Sequence, residues 1–339
     1  MSKLYVFSPA LVGWVIDGIV EEVFRDAGGV GEIRLGRVVN VERGVSAAFF
    51  DIGTGSNGFL HVSDWPGSKR GDPIEKHLPM GTRAIVQIKR ASVGGKAAAL
   101  SGQVSLPGRT VVLLPYRDVG GISRRLERGA REIQQTLQER AGCGVILRTA
   151  SRDAELAELE HEVDVLRAEW ARIESQAQVR PAPGLLMAVP DAEERARRDL
   201  GLAPDVAIHR GDVPDEIFRQ IQELGARSLP LPSGGHVVIE QTEALLAIDV
   251  NSGKTREEGE FEPTARRTNL EAAQVIARQL RLRDAGGVVV VDFIDMRDEG
   301  YIAEVDQKFR EALDRDRARI ECAGLREFGL FTLTRQRRG

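Results

Sequence analysis

Two segments of the chain end in acids placed for metal chemistry. One reads ALLAIDVNSG at 244–253 and carries Asp249 and Asn251. The other reads GGVVVVDFIDM at 286–296 and carries Asp292 and Asp295. In both, the first acid closes an apolar run of strand length. Asp292 follows Asp249 by 43 positions, and the interval holds one segment of helical period. A strand–helix–strand unit sets its two strands parallel in one sheet with a right-handed crossover. Both carboxylates then emerge at the same carboxyl edge, outside which open α/β sheets bind ligands. Two carboxylates so placed repel each other, and a proton or a metal relieves them. Magnesium accepts one or two carboxylates, keeps several waters and leaves room for a substrate phosphate. Asn251, two residues past Asp249, falls on the same side of the strand. There it can bond a phosphate or a metal-bound water. Spacing alone leaves a second use open, in which each acid ends its strand by capping a turn.

Other chemistries find less support. No pair among His61, His77, His161, His209 and His236 has zinc-ligand spacing, and there is no Cys-x-x-Cys. A serine-hydrolase Gly-x-Ser-x-Gly elbow is missing. Gly253-Lys254-Thr255 looks like the end of a phosphate loop, but the earlier glycine is not there. Two cysteines, Cys143 and Cys322, make no disulfide framework. The start MSKLYVFSPA lacks the features of a signal peptide, and no apolar run approaches the roughly 20 residues of a membrane helix. The expected compartment is cytoplasmic. A net charge of −4 argues against non-specific coating of DNA. Arginines nevertheless cluster at 124, 125, 128 and 131, at 266 and 267, at 278, 281 and 283, and at 335, 337 and 338. Such clusters are solvated faces or phosphate grips.

The elements that must position these groups fall into a multidomain α+β / α/β plan, and 339 residues leave room for two or three domains. Residues 1–30 carry short strands around a turn at Asp17-Gly18. Residues 31–104 hold several short strands separated by glycine turns, among them Gly94-Gly95, as in a five-stranded OB barrel. On it Phe49 and Phe59 fall on neighbouring strands and Phe50 alternates to the other face. Exposed aromatics there would stack bases for about 1–3 kcal/mol each, with Lys96 and Arg37 tracking the backbone. The competing use of the phenylalanines is to fill the barrel. Residues 105–180 mix strands at 110–114 and 144–148 with a helix at 154–178. That helix has apolar Leu156, Leu159, Val163, Leu166, Trp170 and Ile173 at three-four spacing. The stripe packs on its own domain or pairs with a second copy as a coiled coil. From 185 onward the pattern is α/β. Strands at 245–250 and 288–293 are continuous apolar runs, expected to be buried on both faces. The helix between them, at 263–283, is expected to bury Ala265, Ala272, Ala273, Ile276 and Leu280. Arg267, Arg278 and Arg281 would form a basic outer stripe.

The stretch ALLAIDVNSGKTREEG, continued by ARRTNLEAAQVIARQLRLRDAGGVVVVDFIDM, resembles the DNase I-like catalytic domain of the ribonuclease E/G family. By that resemblance Asp249 and Asp292 hold magnesium, for which manganese can substitute, and Asn251 supports them. Asp295 falls outside the ligand pair. GRVVNVERGVSAAFFDIGTGSNGFLHVSD resembles the family's OB-fold RNA-binding domain, with Phe49 and Phe59 on its RNA-contacting aromatics and Lys96 on a basic contact. GGISRR at 120–125, with Arg124 and Arg125, and GVILRTA at 144–150 resemble the family's sensor of an RNA 5′ end. Arg148 and Thr149 match the pair that holds a 5′-monophosphate. LREFGLFTLTRQRR matches the end of the catalytic domain.

The resemblance implies four parts. Residues 1–30 with 185–229 form a reduced RNase H-like subdomain, 31–104 an OB-fold domain, 105–184 a 5′-sensor domain and 230–339 the catalytic domain. It implies a magnesium-dependent endoribonuclease that hydrolyses single-stranded RNA to 5′-phosphate and 3′-hydroxyl ends, prefers 5′-monophosphate substrates, and serves RNA processing or mRNA decay. The family's cysteine-bearing zinc link and its scaffold tail do not follow Arg338-Gly339, so no zinc-linked dimer is expected, whereas another homodimer contact stays compatible. The alternative is a non-catalytic RNA-binding protein acting through the barrel.

Overall fold

The computed structural model describes residues 2–337 apart from 70, 93–95, 128, 204, 254–260 and 326–328. The Gly94-Gly95 turn, Arg128, Lys254, Thr255, the middle of LREFG, and Arg338 lie outside the described residues. The chain divides into two compact units, Met1–Val23 with Ala207–Gly339, and Phe24–Val206. The segment 185–229 falls on both sides of that division.

The first unit opens with strands β1 (Ser2–Ser8), β2 (Leu11–Ile16) and β3 (Ile19–Arg25). Asp17 and Gly18 join β2 to β3 with φ of 48° and 81°. A two-residue turn of that kind matches the twist of the flanking strands.

In the second unit β4 (Ile33–Glu42), β5 (Ala47–Asp51), β6 (Asn57–His61), β7 (Arg83–Arg90) and β8 (Ala98–Ser101) follow in chain order. Their pairing runs β4-β5-β6-β8-β7, and β7 returns to β4, so the sheet closes into a five-stranded barrel. Val38, Phe50, Leu60, Val86 and Leu100 fill it. Gly58 has no side chain because a Cβ there would sit 2.5 Å from Leu100. Beyond the barrel, β9 (Leu106–Pro107), β10 (Val111–Leu114), β11 (Gly121–Ile122) and β12 (Gly144–Leu147) form a sheet of order β11-β12-β10-β9. Past a short first helix α1 (Ile74–His77), helices α2 (Ala130–Ala141) and α3 (Leu156–Val179) cover that sheet. Leu159, Val163 and Ile173 of α3 are buried in this core, so the apolar stripe packs on its own unit. Strand β13 (Gly184–Met187) pairs with β4, and α4 (Ala192–Leu200) follows, capped by Asp191 at its start.

The chain then re-enters the first unit. Strand β14 (Ile208–His209) lies parallel to β1, and α5 (Asp215–Gln222) packs Ile217 against Tyr5, Val15 and Val20. The remaining strands are β15 (Ser228–Pro230), β16 (His236–Gln241), β17 (Leu246–Asn251), β18 (Gly287–Asp292), β19 (Ile320–Leu325) and β20 (Leu330–Arg335), in sheet order β15-β16-β17-β18-β20-β19. Helix α6 (Phe261–Leu282) carries the chain from β17 to a parallel β18, and α7 (Glu299–Leu313) precedes β19. The core beneath them joins Ile276 and Leu280 of α6, Val305 and Phe309 of α7, and Ile248, Val289, Val291 and Phe331 of the sheet. Phe309 meets Phe293 and Phe331 edge-on at 5.6 and 4.7 Å between ring centroids, worth about 0.5–1.5 kcal/mol per pair beyond area.

Two expectations are corrected here. Strands β17 and β18 are not buried on both faces. Val288 is 41% exposed and Val290 half-buried, whereas Val289 and Val291 are fully buried. The reason is that α6 and α7 both lie on one face. The basic outer stripe of α6 is also not what it was expected to be. Arg281 is 5% exposed and donates to the Glu21 carbonyl while its guanidinium meets the Glu21 carboxylate. Arg278 donates to the Val20 carbonyl at 3.0 Å. Both arginines fasten the β2–β3 hairpin to α6, leaving Arg267 exposed. Arg335 is likewise sealed within its unit, bonding Asp316 and Asp284 at 2.8 Å each.

Candidate active site

The strand period decides what the open face of the six-stranded sheet presents. Leu246, Ile248 and Val250 of β17 point into the core, so Ala247, Asp249 and Asn251 point out. Asp249 is the register partner of Asp292 on β18. Neighbouring strands lie about 4.8 Å apart, so the two carboxylates are side by side. Asn251 donates from Nδ2 to Asp249 Oδ2 at 2.7 Å, which holds that carboxylate in one orientation. Desolvation pushes the Asp292 carboxyl above its ordinary range, and the charges of Asp249 and Asp295 push it further. No ion pair to any of these three acids occurs among the described residues. Nor do any three His, Cys, Asp or Glu side chains among the described residues converge closely enough to hold a metal ion. Two carboxylates with no third ligand among the described residues are fewer than the four side chains of a caged zinc. They do suit a hydrated divalent cation that draws its other ligands from water and phosphate.

A further residue shapes this site that the sequence reading passed over. Asn269 of α6 is fully buried. It donates to the Ile294 carbonyl at 2.8 Å and accepts from the Ile294 amide at 3.0 Å. Ile294 stands between Asp292 and Asp295, so this two-way clasp holds the backbone that carries both acids. Glu262 accepts from the amides of Arg297 and Asp298, and the Phe293 amide donates to the Gly329 carbonyl at 3.0 Å. Gly329 has φ +67°, and a Cβ there would lie 2.5 Å from the Phe293 carbonyl oxygen. The available signal was an asparagine on the apolar arc of an amphipathic helix, where a polar group must find a partner. His236, set aside for zinc by spacing, is the register partner of Asn251 and shares its open face.

On the barrel, alternation separates the three phenylalanines. Phe50 is fully buried, whereas Phe49 and Phe59 are half-buried on the outer face and pair across β5 and β6. Their rings meet edge-on with centroids 5.6 Å apart. Lys96 is exposed just before β8, whose Ala99 pairs with Phe59. Arg37 is exposed on β4, 3.9 Å from the Asp51 carboxylate.

The third group gathers where β11 and β12 run parallel. The Ser123 and Thr149 hydroxyls lie 2.8 Å apart, and the Ser123 amide donates to the Leu147 carbonyl. Arg148 follows β12 directly. Its amide donates to the Thr110 carbonyl at 2.8 Å. Its guanidinium reaches the Gly108 carbonyl and the Asp199 carboxylate. Glu162 of α3 bolts this corner together by accepting from the amides of Thr110 and Val111. Arg124 and Arg125 are exposed on the turn after Ser123. The structure thus brings the Ser123 and Thr149 hydroxyls together, holds the Arg148 guanidinium on Gly108 and Asp199, and leaves Arg124 and Arg125 exposed on the turn after Ser123.

Comparison with known proteins places the chain in one family. The model of the ribonuclease E/G family matches residues 105–209 and 214–338. Ribonuclease E of Haemophilus influenzae is 39% identical over 89% of this chain and 37% of its own length. Ribonuclease E of Escherichia coli is 37% identical over 89% of this chain and 33% of its own length. Ribonuclease G of Escherichia coli is 31% identical over 97% of this chain and 78% of its own length. The chain therefore spans about a third of the length of the first two relatives.

Proposed function

The chain belongs to the ribonuclease E/G family, and from that premise we propose that it is a magnesium-dependent endoribonuclease acting on single-stranded RNA in the cytoplasm. The observation that carries this reading is the register pairing of Asp249 with Asp292, with Asn251 bonded to the first. These are the residues that would hold the metal, manganese being an acceptable substitute. Once bound, the ion supplies Lewis-acid polarisation of a phosphoryl oxygen and a water of lowered pKa.

The chain's own residues do the remaining work. Asn251 fixes the Asp249 carboxylate and offers a hydrogen bond to the scissile phosphate. Asn269 keeps the backbone of the second acid in place. In the barrel, which serves as an OB-fold RNA-binding domain, Phe49 and Phe59 stack bases that a duplex would keep stacked on one another. Lys96 and Arg37 follow the phosphates. Water adds to phosphorus, the bond to the 3′ oxygen breaks, and that oxygen takes a proton, which leaves a 5′-phosphate and a 3′-hydroxyl. The sheet of β9–β12 acts as the 5′ sensor. Arg148 with the Thr149 hydroxyl suits a terminal phosphate dianion, with Arg124 and Arg125 adding positive potential. The α/β sheet of the first unit is the DNase I-like part. The short strands and helices on both sides of the unit division stand for the reduced RNase H-like part.

The test uses a defined single-stranded RNA and follows discrete fragments with magnesium or with EDTA. Asp249→Asn and Asp292→Asn should each cut the magnesium-dependent fragments to a small remainder. Near-normal cutting by either variant would reject the assignment.

A further inference from the structure

We propose that Asp199 is a positioning residue for Arg148, so that selectivity for the 5′ end is set from helix α4 as well as from the sensor strand. This rests on the sensor reading given above. Asp199 Oδ1 accepts from Arg148 Nη2 at 3.1 Å and from Arg198 Nε at 2.8 Å. Arg148 Nη1 donates to the Gly108 carbonyl at 2.5 Å. Among the described residues the guanidinium is therefore held at two points, which leaves three of its five N–H groups for a ligand. The side chains of Arg148 and Asp199 are each 21% exposed, deep enough for the contact to be ordered and open enough for a phosphate to reach it.

The backbone shows why α4 can deliver this carboxylate. Helix α4 ends at Leu200, and Gly201 closes it in the left-handed conformation with φ +65°. A Cβ on Gly201 would lie 2.4 Å from Ala150 Cβ. Glycine thus lets the end of α4 sit directly against the residue that follows Thr149, and Asp199 arrives beside Arg148 as a result.

The sign of the effect follows from the charges. A lone carboxylate on Arg148 would compete with a phosphate. Here Arg198 shares the same carboxylate oxygen, so the three side chains carry one net positive charge and the competition is largely cancelled. What remains is orientation. Arginine is a long side chain whose rotamer freedom must be surrendered on binding. Fixing it beforehand favours the bound state.

The experiment compares initial rates on two matched single-stranded oligonucleotides, one with a 5′-monophosphate and one with a 5′-hydroxyl. The proteins are the unaltered chain, Asp199→Asn, Asp199→Glu and Arg148→Ala, each with its thermal midpoint measured. Asp199→Asn should lower the monophosphate-to-hydroxyl rate ratio roughly 3- to 10-fold, the scale of one lost hydrogen bond. Asp199→Glu should recover part of it. Adding Asp199→Asn to Arg148→Ala should lower the ratio no further. An unchanged ratio in Asp199→Asn, or a raised one, overturns the proposal. So does an equal loss on both substrates together with a lowered midpoint, because that marks a purely structural residue. Equal rates on both oligonucleotides with the unaltered chain would instead reject the sensor reading itself.

Discussion

The open sheet face of the first unit and the Ser123–Arg148–Thr149 corner of the second treat charge in opposite ways. On the sheet face Asp249 and Asp292 stand side by side, and the Asp292 carboxyl is pushed up by desolvation and by its acidic neighbours. At the corner, Arg148 is already met by Asp199 and a carbonyl. The first arrangement leaves an electrostatic cost that an incoming cation removes. The second keeps one net positive charge on Arg148, Arg198 and Asp199 and leaves donors in a fixed orientation for an anion. On the function proposed above, the first site would gain its ligand through uncompensated charge and the second mainly through preorganisation.

That contrast sets the expected sizes of effect. Removing one carboxylate of the acid pair should be the most damaging change. Asp249→Asn or Asp292→Asn should cut the magnesium-dependent rate by on the order of 10²–10³-fold, the scale for losing one preorganised transition-state contact. A smaller drop would mean that the acids are less essential than their geometry implies. Next comes the support beneath them. Asn269→Ala should cost about 10–100-fold, as for groups that orient metal ligands, and should shrink the rise in thermal midpoint that magnesium gives. If activity falls while that rise is unchanged, Asn269 serves the fold and not the site. On the barrel, Phe49→Ala or Phe59→Ala should each weaken RNA binding by about 1–3 kcal/mol with little change in stability. Phe50→Ala should instead cost about 3–5 kcal/mol of stability. RNA titrations and denaturant melts separate the two outcomes.

Which parts of this were legible in the sequence depends on how local their cause is. The period of two placed Asp249 with Asn251 and separated Phe50 from Phe49, because a strand's alternation is set residue by residue. The helix between the acids, the parallel pairing of its flanking strands and the barrel's strand count follow from patterns of similar reach. The corrected points concern partners far along the chain. Arg278 and Arg281 read as solvent-facing on a helical wheel, yet the hairpin that covers them begins some 260 residues earlier. The apolar run at β18 suggested burial on both faces, but only a count of helix layers reveals that one face stays open. Asn269 was visible as an oddity on an apolar arc, while its partner, the backbone at Ile294, was not. The contact of Asp199 with Arg148 carried no signal at all, since it depends on where Gly201 lets a helix end come to rest.

The smallest effect is also the one that tests the contrast without any RNA. A carboxyl whose pKa is raised on folding contributes stability below its unfolded value, ordinarily 3.8 for aspartate, and loses that contribution as pH rises through the folded value. In EDTA at neutral pH the ionised Asp292 should therefore work against the fold, and Asp292→Asn should melt higher than the unaltered chain. Other carboxylates titrate in the same region, and those paired with arginine, such as Asp164 with Arg140, act with the opposite sign. The informative quantity is accordingly the difference between the two proteins, which should grow as pH rises from about 3.8 and then level off. Saturating magnesium should reverse the order. A ligand at 100 times its Kd adds about 2.7 kcal/mol to the protein that binds it, and the variant has lost half of the carboxylate pair. If the unaltered chain melts higher in EDTA as well, the acids are stabilised by the protein alone, and the sheet face resembles the Arg148 corner more closely than its charges suggest.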